Sequence, residues 1–102
     1  MVNVSNRAAM RLRDELTHKC FRAGIGFRMV VDTTESGRTT CSIKLDRQRG
    51  GDEVTELNGV KVFLGPSSAA RLSNYRLHYQ DEPNSGFFLR TMRGSQGWVE
   101  LA

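Results

Sequence analysis

The sequence contains little cysteine and little proline, and it has no long apolar run. Its two cysteines, Cys20 and Cys41, could form at most one disulfide bond, which excludes a disulfide-stabilised scaffold. No Cys-x-x-Cys or His-x-x-His pair provides the usual ligands of a structural zinc site. No apolar stretch approaches the roughly 20 residues of a membrane-spanning helix, and the polar first residues do not resemble a signal peptide. These absences lead us to expect a cytoplasmic protein without a membrane segment.

The sequence motifs of the common enzyme classes are also missing. There is no Gly-x-Ser-x-Gly nucleophile motif and no phosphate-binding loop that ends in Gly-Lys-Ser or Gly-Lys-Thr. The segment Gly24-Ile25-Gly26 lacks the third glycine of a dinucleotide-binding loop and precedes a predicted strand rather than a helix. The two histidines, His18 and His78, are far apart in the sequence, and we expect both to be solvated. The sequence therefore predicts a protein that is not an enzyme.

The composition is that of one globular domain. Of the 102 residues, 38% are hydrophobic and 25% are charged, which suits a single modest core, so we predict one domain over residues 1–102. The net charge of +4 comes from twelve arginines and three lysines against eleven acidic residues. Arginine binds phosphates and carboxylates bidentately. However, the arginines are scattered along the chain, which favours a solvated surface over a nucleic-acid footprint.

The first half of the chain changes from helical to alternating periodicity. Ser5 is a suitable N-cap, and the apolar residues after it recur at helical spacing, so we predict a helix over residues 5–19. Alternating apolar residues predict strands over 27–32 and 41–45. The Gly-rich charged segment 47–52 is expected to be mobile. Asn58-Gly59 then predicts a two-residue hairpin turn, because both positions accept a positive φ.

The second half of the chain contains a short helix followed by further strands. Gly65-Pro66 begins this helix, since proline suits the first helical turn, and Asn74 marks its end. Alternation predicts a strand over 75–80, another that begins near Phe87, and a last one over 97–101. The fold class that follows is a strand-dominated α+β domain with an N-terminal helix and a second short helix.

Five segments occur in an order that resembles one known family. They are Arg7-Ala8-Ala9, Gly24-Ile25-Gly26-Phe27-Arg28, the stretch 52–62 with its Asn58-Gly59-Val60-Lys61-Val62, Ser68 with Leu72, and Gly86-Phe87-Phe88. Together they resemble the HesB-like, A-type iron–sulfur cluster carrier family over nearly the whole chain, from about Val4 to Met92. The resemblance implies a twisted β domain with two helices that assembles into dimers or tetramers. It also implies a role in iron–sulfur cluster assembly or iron metabolism.

The positions of the family's cluster ligands are changed in this sequence. Members carry Cys-Ser-Gly after the first strand and Cys-Gly-Cys near the C-terminus. The resemblance places the first cysteine at Glu35 and the other two at Trp98 and Glu100. Iron–sulfur clusters are held by soft thiolates, and none of these three side chains supplies one. The resemblance therefore implies a divergent, non-catalytic accessory or binding protein with a degenerate metal site and no cofactor, with iron–sulfur assembly proteins as candidate partners.

Alternatives to this interpretation stay open. Glu35 and Glu100 would suit a hard divalent cation if the loop and the tail meet, although exposed glutamates are the simpler expectation. The two cysteines are expected to pack in the core, as cysteine commonly does. The scaffold could also serve as a protein-interaction or nucleic-acid-binding module, with Trp98 and neighbouring aromatic residues stacking on bases. Their alternation favours core packing for most of them, so nucleic acid is the less favoured partner.

Self-association is predicted from the C-terminal strands. Two consecutive residues of a strand point to opposite faces, so one of Phe87 and Phe88 must point away from the core. A strand-rich domain of this size also leaves sheet edges that need covering. We therefore expect a homodimer, with Phe88 and Trp98 as candidate interface residues.

Overall fold

The computed structural model describes residues 3–19, 24–33, 35, 39–81, 85–91 and 96–101. Within helices and strands, the side chains of residues 17–19, 33, 39, 96–98, 100 and 101 are not described. The elements are β1 (Asn3–Val4), α1 (Asn6–Lys19), β2 (Ile25–Thr33), β3 (Thr39–Arg47), β4 (Glu53–Leu57), β5 (Val60–Leu64), α2 (Pro66–Leu72), β6 (Tyr75–Gln80), β7 (Gly86–Thr91) and β8 (Gln96–Leu101). This confirms the predicted strand-dominated α+β class with two helices.

The strands form one mixed sheet of eight strands in the order β1-β6-β7-β8-β3-β2-β5-β4. Both helices cover the same face of this sheet, since the buried residues of α1, Leu72 of α2 and the inward residues of the strands form a single apolar cluster. The opposite face has no helix on it among the described residues. We call it the outer face, and it carries the polar positions of each strand.

Helix α1 begins and packs as its sequence predicts. The backbone N–H of Ala8 donates a hydrogen bond to Ser5 Oγ at 3.1 Å, which satisfies one of the free N–H groups of the first turn. The apolar positions of the helix are buried against the sheet, namely Ala8, Ala9, Leu12 and Leu16. The N-cap and the buried stripe are both confirmed.

Strands β2 and β3 form the long central hairpin. They pair antiparallel from Ile25 opposite Arg47 to Thr33 opposite Thr39. Both strands extend beyond the predicted ranges, because backbone pairing continues past the residues whose alternation is clear. Cys41, Ile43 and Leu45 all contact the core from β3, as the alternation predicts.

The β4–β5 hairpin has the predicted tight turn. Asn58 has a φ of 54° and Gly59 a φ of 79°, so both lie in the left-handed region that a two-residue turn of this kind requires. Val60, Val62 and Leu64 are buried in the core, again as predicted. Phe63 is equally inaccessible at 0% exposure, although its neighbours on both sides already point inward. This residue lies on the outer face, and something there must cover it.

Candidate functional site

Glu35 lies in the turn between β2 and β3 and is exposed. Its neighbours Ser36 and Gly37 lie outside the described residues. Strand β8 runs parallel to β3, with Cys41 opposite Val99 and the backbone of Glu100 opposite Ser42. The topology therefore places the strand that carries positions 98 and 100 beside the strand that follows the Glu35 turn.

The one thiol that the structure describes is poorly suited to iron–sulfur ligation. Cys41 is a free cysteine that packs against the core. Burial raises the pKa of its thiol to about 11, so the thiolate that would bind iron is disfavoured at neutral pH. Cys20 lies outside the described residues. In the part of the chain that the structure describes, no group of three or more histidine, cysteine, aspartate or glutamate residues could hold a metal ion.

The best-organised polar cluster surrounds Arg28 on the outer face, where Phe63 needs cover. The Arg28 side chain is only 7% exposed. Its Nη1 and Nη2 donate to the two carboxylate oxygens of Asp52 at 2.9 and 2.6 Å, and its Nε donates to Asp46 at 2.6 Å. Nη2 also donates to the carbonyl of Arg47 at 3.1 Å. The guanidinium carbon lies 5.8 Å from the centroid of the Phe63 ring, so the cation covers that ring.

The cluster organises the segment between β3 and β4. The hydrogen bonds from Arg28 lower the pKa of Asp52 to about 2 and also lower the pKa of Asp46. Asp52 Oδ2 accepts a further hydrogen bond from the backbone N–H of Arg49 at 2.7 Å. The expectation that segment 47–52 is mobile is therefore wrong at Asp52, which ties the segment to β2. The alternation of β2 predicts that Arg28 lies on a polar face. No feature of the sequence indicates that Asp46 and Asp52 are its partners.

His78 and Phe88 pack on the outer face at the other end of the sheet. Phe87 lies in the core, where it meets Tyr79 edge-on at 4.9 Å between ring centroids. Phe88 lies outside that core cluster, so one of the two phenylalanines does point away from it. The Phe88 ring stacks on the His78 ring at 5.2 Å and is 7% exposed. His78 is thus half-buried, and the expectation of a solvated histidine is wrong.

The remaining candidate residues are only partly described. The backbone register places Trp98 opposite Phe88 and Glu100 opposite Ser42. Their side chains are not described, so the interface role of Trp98 and the cation site of Glu35 with Glu100 stay predictions. His18 is a helix residue whose side chain is likewise not described.

Solved structures of other proteins share the fold that this sheet and its two helices form. Similar solved structures include Escherichia coli SufA, involved in biosynthesis of iron–sulfur clusters, with a TM-score of 0.75 and 16% identity over 92% of this chain and 82% of that one. Another is IscA with a [2Fe-2S] cluster, with a TM-score of 0.72 and 18% identity over 100% of this chain and 97% of that one. No protein-family profile and no curated protein matches the sequence. The two structures confirm the HesB-like fold that the sequence resemblance implied.

Among the described residues, neither α1 nor α2 is long and apolar enough to cross a membrane.

Proposed function

We propose that this protein is a non-catalytic accessory or binding protein of iron–sulfur cluster assembly that does not hold a cluster in the manner of the carriers. The fold it shares with SufA and IscA supports the connection to cluster assembly. The second part rests on Glu35, which is exposed in the structure and which the family resemblance places at the position of the first cysteine. A carboxylate is a hard ligand, and it does not replace a thiolate in iron–sulfur ligation.

The rest of the domain favours binding over catalysis. The described thiol, Cys41, packs against the core and is protonated at neutral pH. The outer face is instead organised by ion pairs and stacked rings, which give a stable surface for a partner. We propose that the partners are iron–sulfur assembly proteins in the cytoplasm, which bind a carrier-shaped domain without exchanging a cluster with it.

A reused scaffold that binds nucleic acid is the second candidate. The arginine-rich composition supports it. Several arginines, however, are matched by carboxylates within the chain, which lowers the positive charge available to phosphates. These pairs are Arg7 with Asp81, Arg11 with Glu15, Arg28 with Asp46 and Asp52, and Arg49 with Asp46. The carrier fold together with this internal pairing makes the accessory role the better-supported proposal.

Protein purified anaerobically from its own source tests the two candidates together. We expect a colourless preparation without stoichiometric iron or sulfide, and with a protein partner known to act in cluster assembly. A brown protein with visible absorbance would contradict the proposed loss of the cluster. Nucleic acid that co-purifies and dissociates steeply with salt would favour the second candidate instead.

Self-association is part of the proposal. Strands β1 and β4 are the two edges of the sheet, and unpaired edges favour association. We expect light scattering to report a homodimer at micromolar concentration, and a monomer at high concentration would contradict this. Phe88→Asp should weaken the dimer more than Arg49→Asp in the exposed segment between β3 and β4. Because Phe88 is only 7% exposed within one chain, circular dichroism must show that the variant remains folded.

A further inference from the structure

A groove of about 390 Å³ lies at the β1–β6–β7 end of the sheet. The turn after α2, at Ser73 and Asn74, forms one of its walls, and Asn3 of β1 lies along its side. Arg76 and His78 of β6 and Arg90 of β7 also line it, and the two arginines carry its positive charge. None of the described residues that line it is acidic. The groove lies on different strands from the Arg28 cluster.

The register places two like charges directly opposite each other in this groove. Arg76 on β6 is the cross-strand partner of Arg90 on β7, and both are exposed. Side chains in directly opposed positions have Cβ atoms about 4.5–5.5 Å apart, and like charges there are destabilising. An anion bound beside the pair would be attracted by both guanidinium groups.

An aromatic neighbour holds one arginine of the pair in place. Arg90 lies over the Phe88 ring, with 5.4 Å between its guanidinium carbon and the ring centroid. Phe88 in turn stacks on His78. Burial lowers the pKa of His78, and the charges of Arg76 and Arg90 lower it further, so the imidazole already experiences their positive potential.

We propose that this groove binds the phosphate group of a small phosphomonoester between Arg76 and Arg90. A phosphomonoester carries a charge of about −1.5 to −2 at neutral pH, which matches two guanidinium groups. Arginine is suited to this role because its fork donates two hydrogen bonds to phosphate oxygens at once. Asn3, Asn74 and Thr91 border the site and supply neutral polar groups for the rest of the ligand.

The size of the groove favours a small molecule over a nucleic-acid strand. Small-molecule sites typically have volumes of about 300–1,000 Å³, and this groove is near the lower end of that range. Phe88, the phenylalanine of the outer face, is 7% exposed, which leaves little of its ring for a base to stack on. A compact phosphate ester, of mononucleotide size or smaller, therefore fits better than an extended strand.

Isothermal titration calorimetry of the full chain at physiological salt tests the proposal. The probes are adenosine 5′-monophosphate and glycerol 2-phosphate, with adenosine as the matched ligand that lacks phosphate. We expect saturable binding of at least one phosphate ester and none of adenosine. Arg76→Gln should weaken that binding at least tenfold, while Arg13→Gln, on the exposed side of α1, should leave it unchanged.

Three results would overturn the proposal. One is the absence of saturable binding of either ester by wild-type protein whose circular dichroism shows it to be folded. Another is an equal loss of affinity in Arg13→Gln and Arg76→Gln, which would mean that net charge alone attracts the ligand. The third is tighter binding of a single-stranded oligonucleotide with a steep salt dependence, which would reassign the groove to nucleic acid. None of these results bears on cluster binding, so they are separate from the test of the proposed function.

Discussion

Arg28→Met is expected to lower the free energy of unfolding by about 3–5 kcal/mol. The substitution keeps an unbranched side chain over the Phe63 ring but removes the cation from Asp46 and Asp52. The Asp52 side chain is only 3% exposed, so its carboxylate would lose its strongest partner without gaining access to water. The removal of one member of a buried ion pair is strongly destabilising for this reason.

Urea unfolding of Arg28→Met, Asp52→Asn, the double variant and a control would measure this effect and assign its cause. Arg28→Met/Asp52→Asn should lose less stability than the sum of the two single variants, because the second substitution removes the carboxylate that the first leaves unpaired. Arg13→Met, on the exposed side of α1, is the control and should change stability by at most about 1 kcal/mol, the range of exposed side-chain interactions. An Arg28→Met protein as stable as this control would show that the cluster contributes little.

The same cluster predicts an acid-sensitive part of the stability. The pKa of Asp52 falls from its usual 3.8 to about 2 in the folded protein because Arg28 donates hydrogen bonds to it. A lowered folded-state pKa contributes stability that is fully present above the unfolded-state value and is lost as the pH falls through the folded-state value. Wild-type protein should therefore lose this contribution between about pH 4 and pH 2. Arg28→Met should show a shallower loss over the same interval.

Gly26→Ala is the second substitution with a large expected effect. A Cβ at position 26 would lie 2.5 Å from the backbone carbonyl oxygen of Lys61 and 2.8 Å from Cε2 of Phe63. The carbonyl belongs to β5, which pairs with β2, so it cannot move without disturbing the sheet. Overpacking typically costs about 1–3 kcal/mol, and a clash with backbone lies at the upper end, so we expect a loss of about 3 kcal/mol.

Gly50→Ala is the matched control for this substitution. A Cβ at Gly50 would meet nothing within 4 Å, and glycine-to-alanine changes at compatible sites are neutral or slightly stabilising. Thermal unfolding followed by circular dichroism should separate the two variants clearly. Equal stability of Gly26→Ala and Gly50→Ala would mean that β2 and β5 do not approach as closely as described.

The sequence predicts the elements that depend on local pattern. The Ser5 cap, the buried stripe of α1 and the turn at Asn58-Gly59 follow from chemistry within a few residues. The alternation of β3 and β5 correctly identifies their inward residues. These features are confirmed because backbone conformation and side-chain spacing decide them.

Features that depend on distant pairing could not be predicted in the same way. Arg28 meets Asp52 across 24 positions of the chain, and no periodicity links the two residues. Likewise, Gly26 is required because a neighbouring strand approaches its backbone, and Arg76 faces Arg90 because of the register of β6 and β7. Only the family resemblance identifies Glu35, Trp98 and Glu100 as candidate ligand positions, since their own residue types do not indicate a cluster site.

Iron and sulfide content after anaerobic reconstitution and desalting tests the central claim most directly. The wild-type protein is predicted to retain no stoichiometric cluster, and a Cys20→Ser/Cys41→Ser variant should give the same baseline. A Glu35→Cys/Trp98→Cys/Glu100→Cys variant, confirmed as folded, serves as the positive control and should retain both elements. A wild-type cluster that survives desalting and is lost when Cys20 and Cys41 are replaced would contradict the claim, because it would place the ligands at those two cysteines.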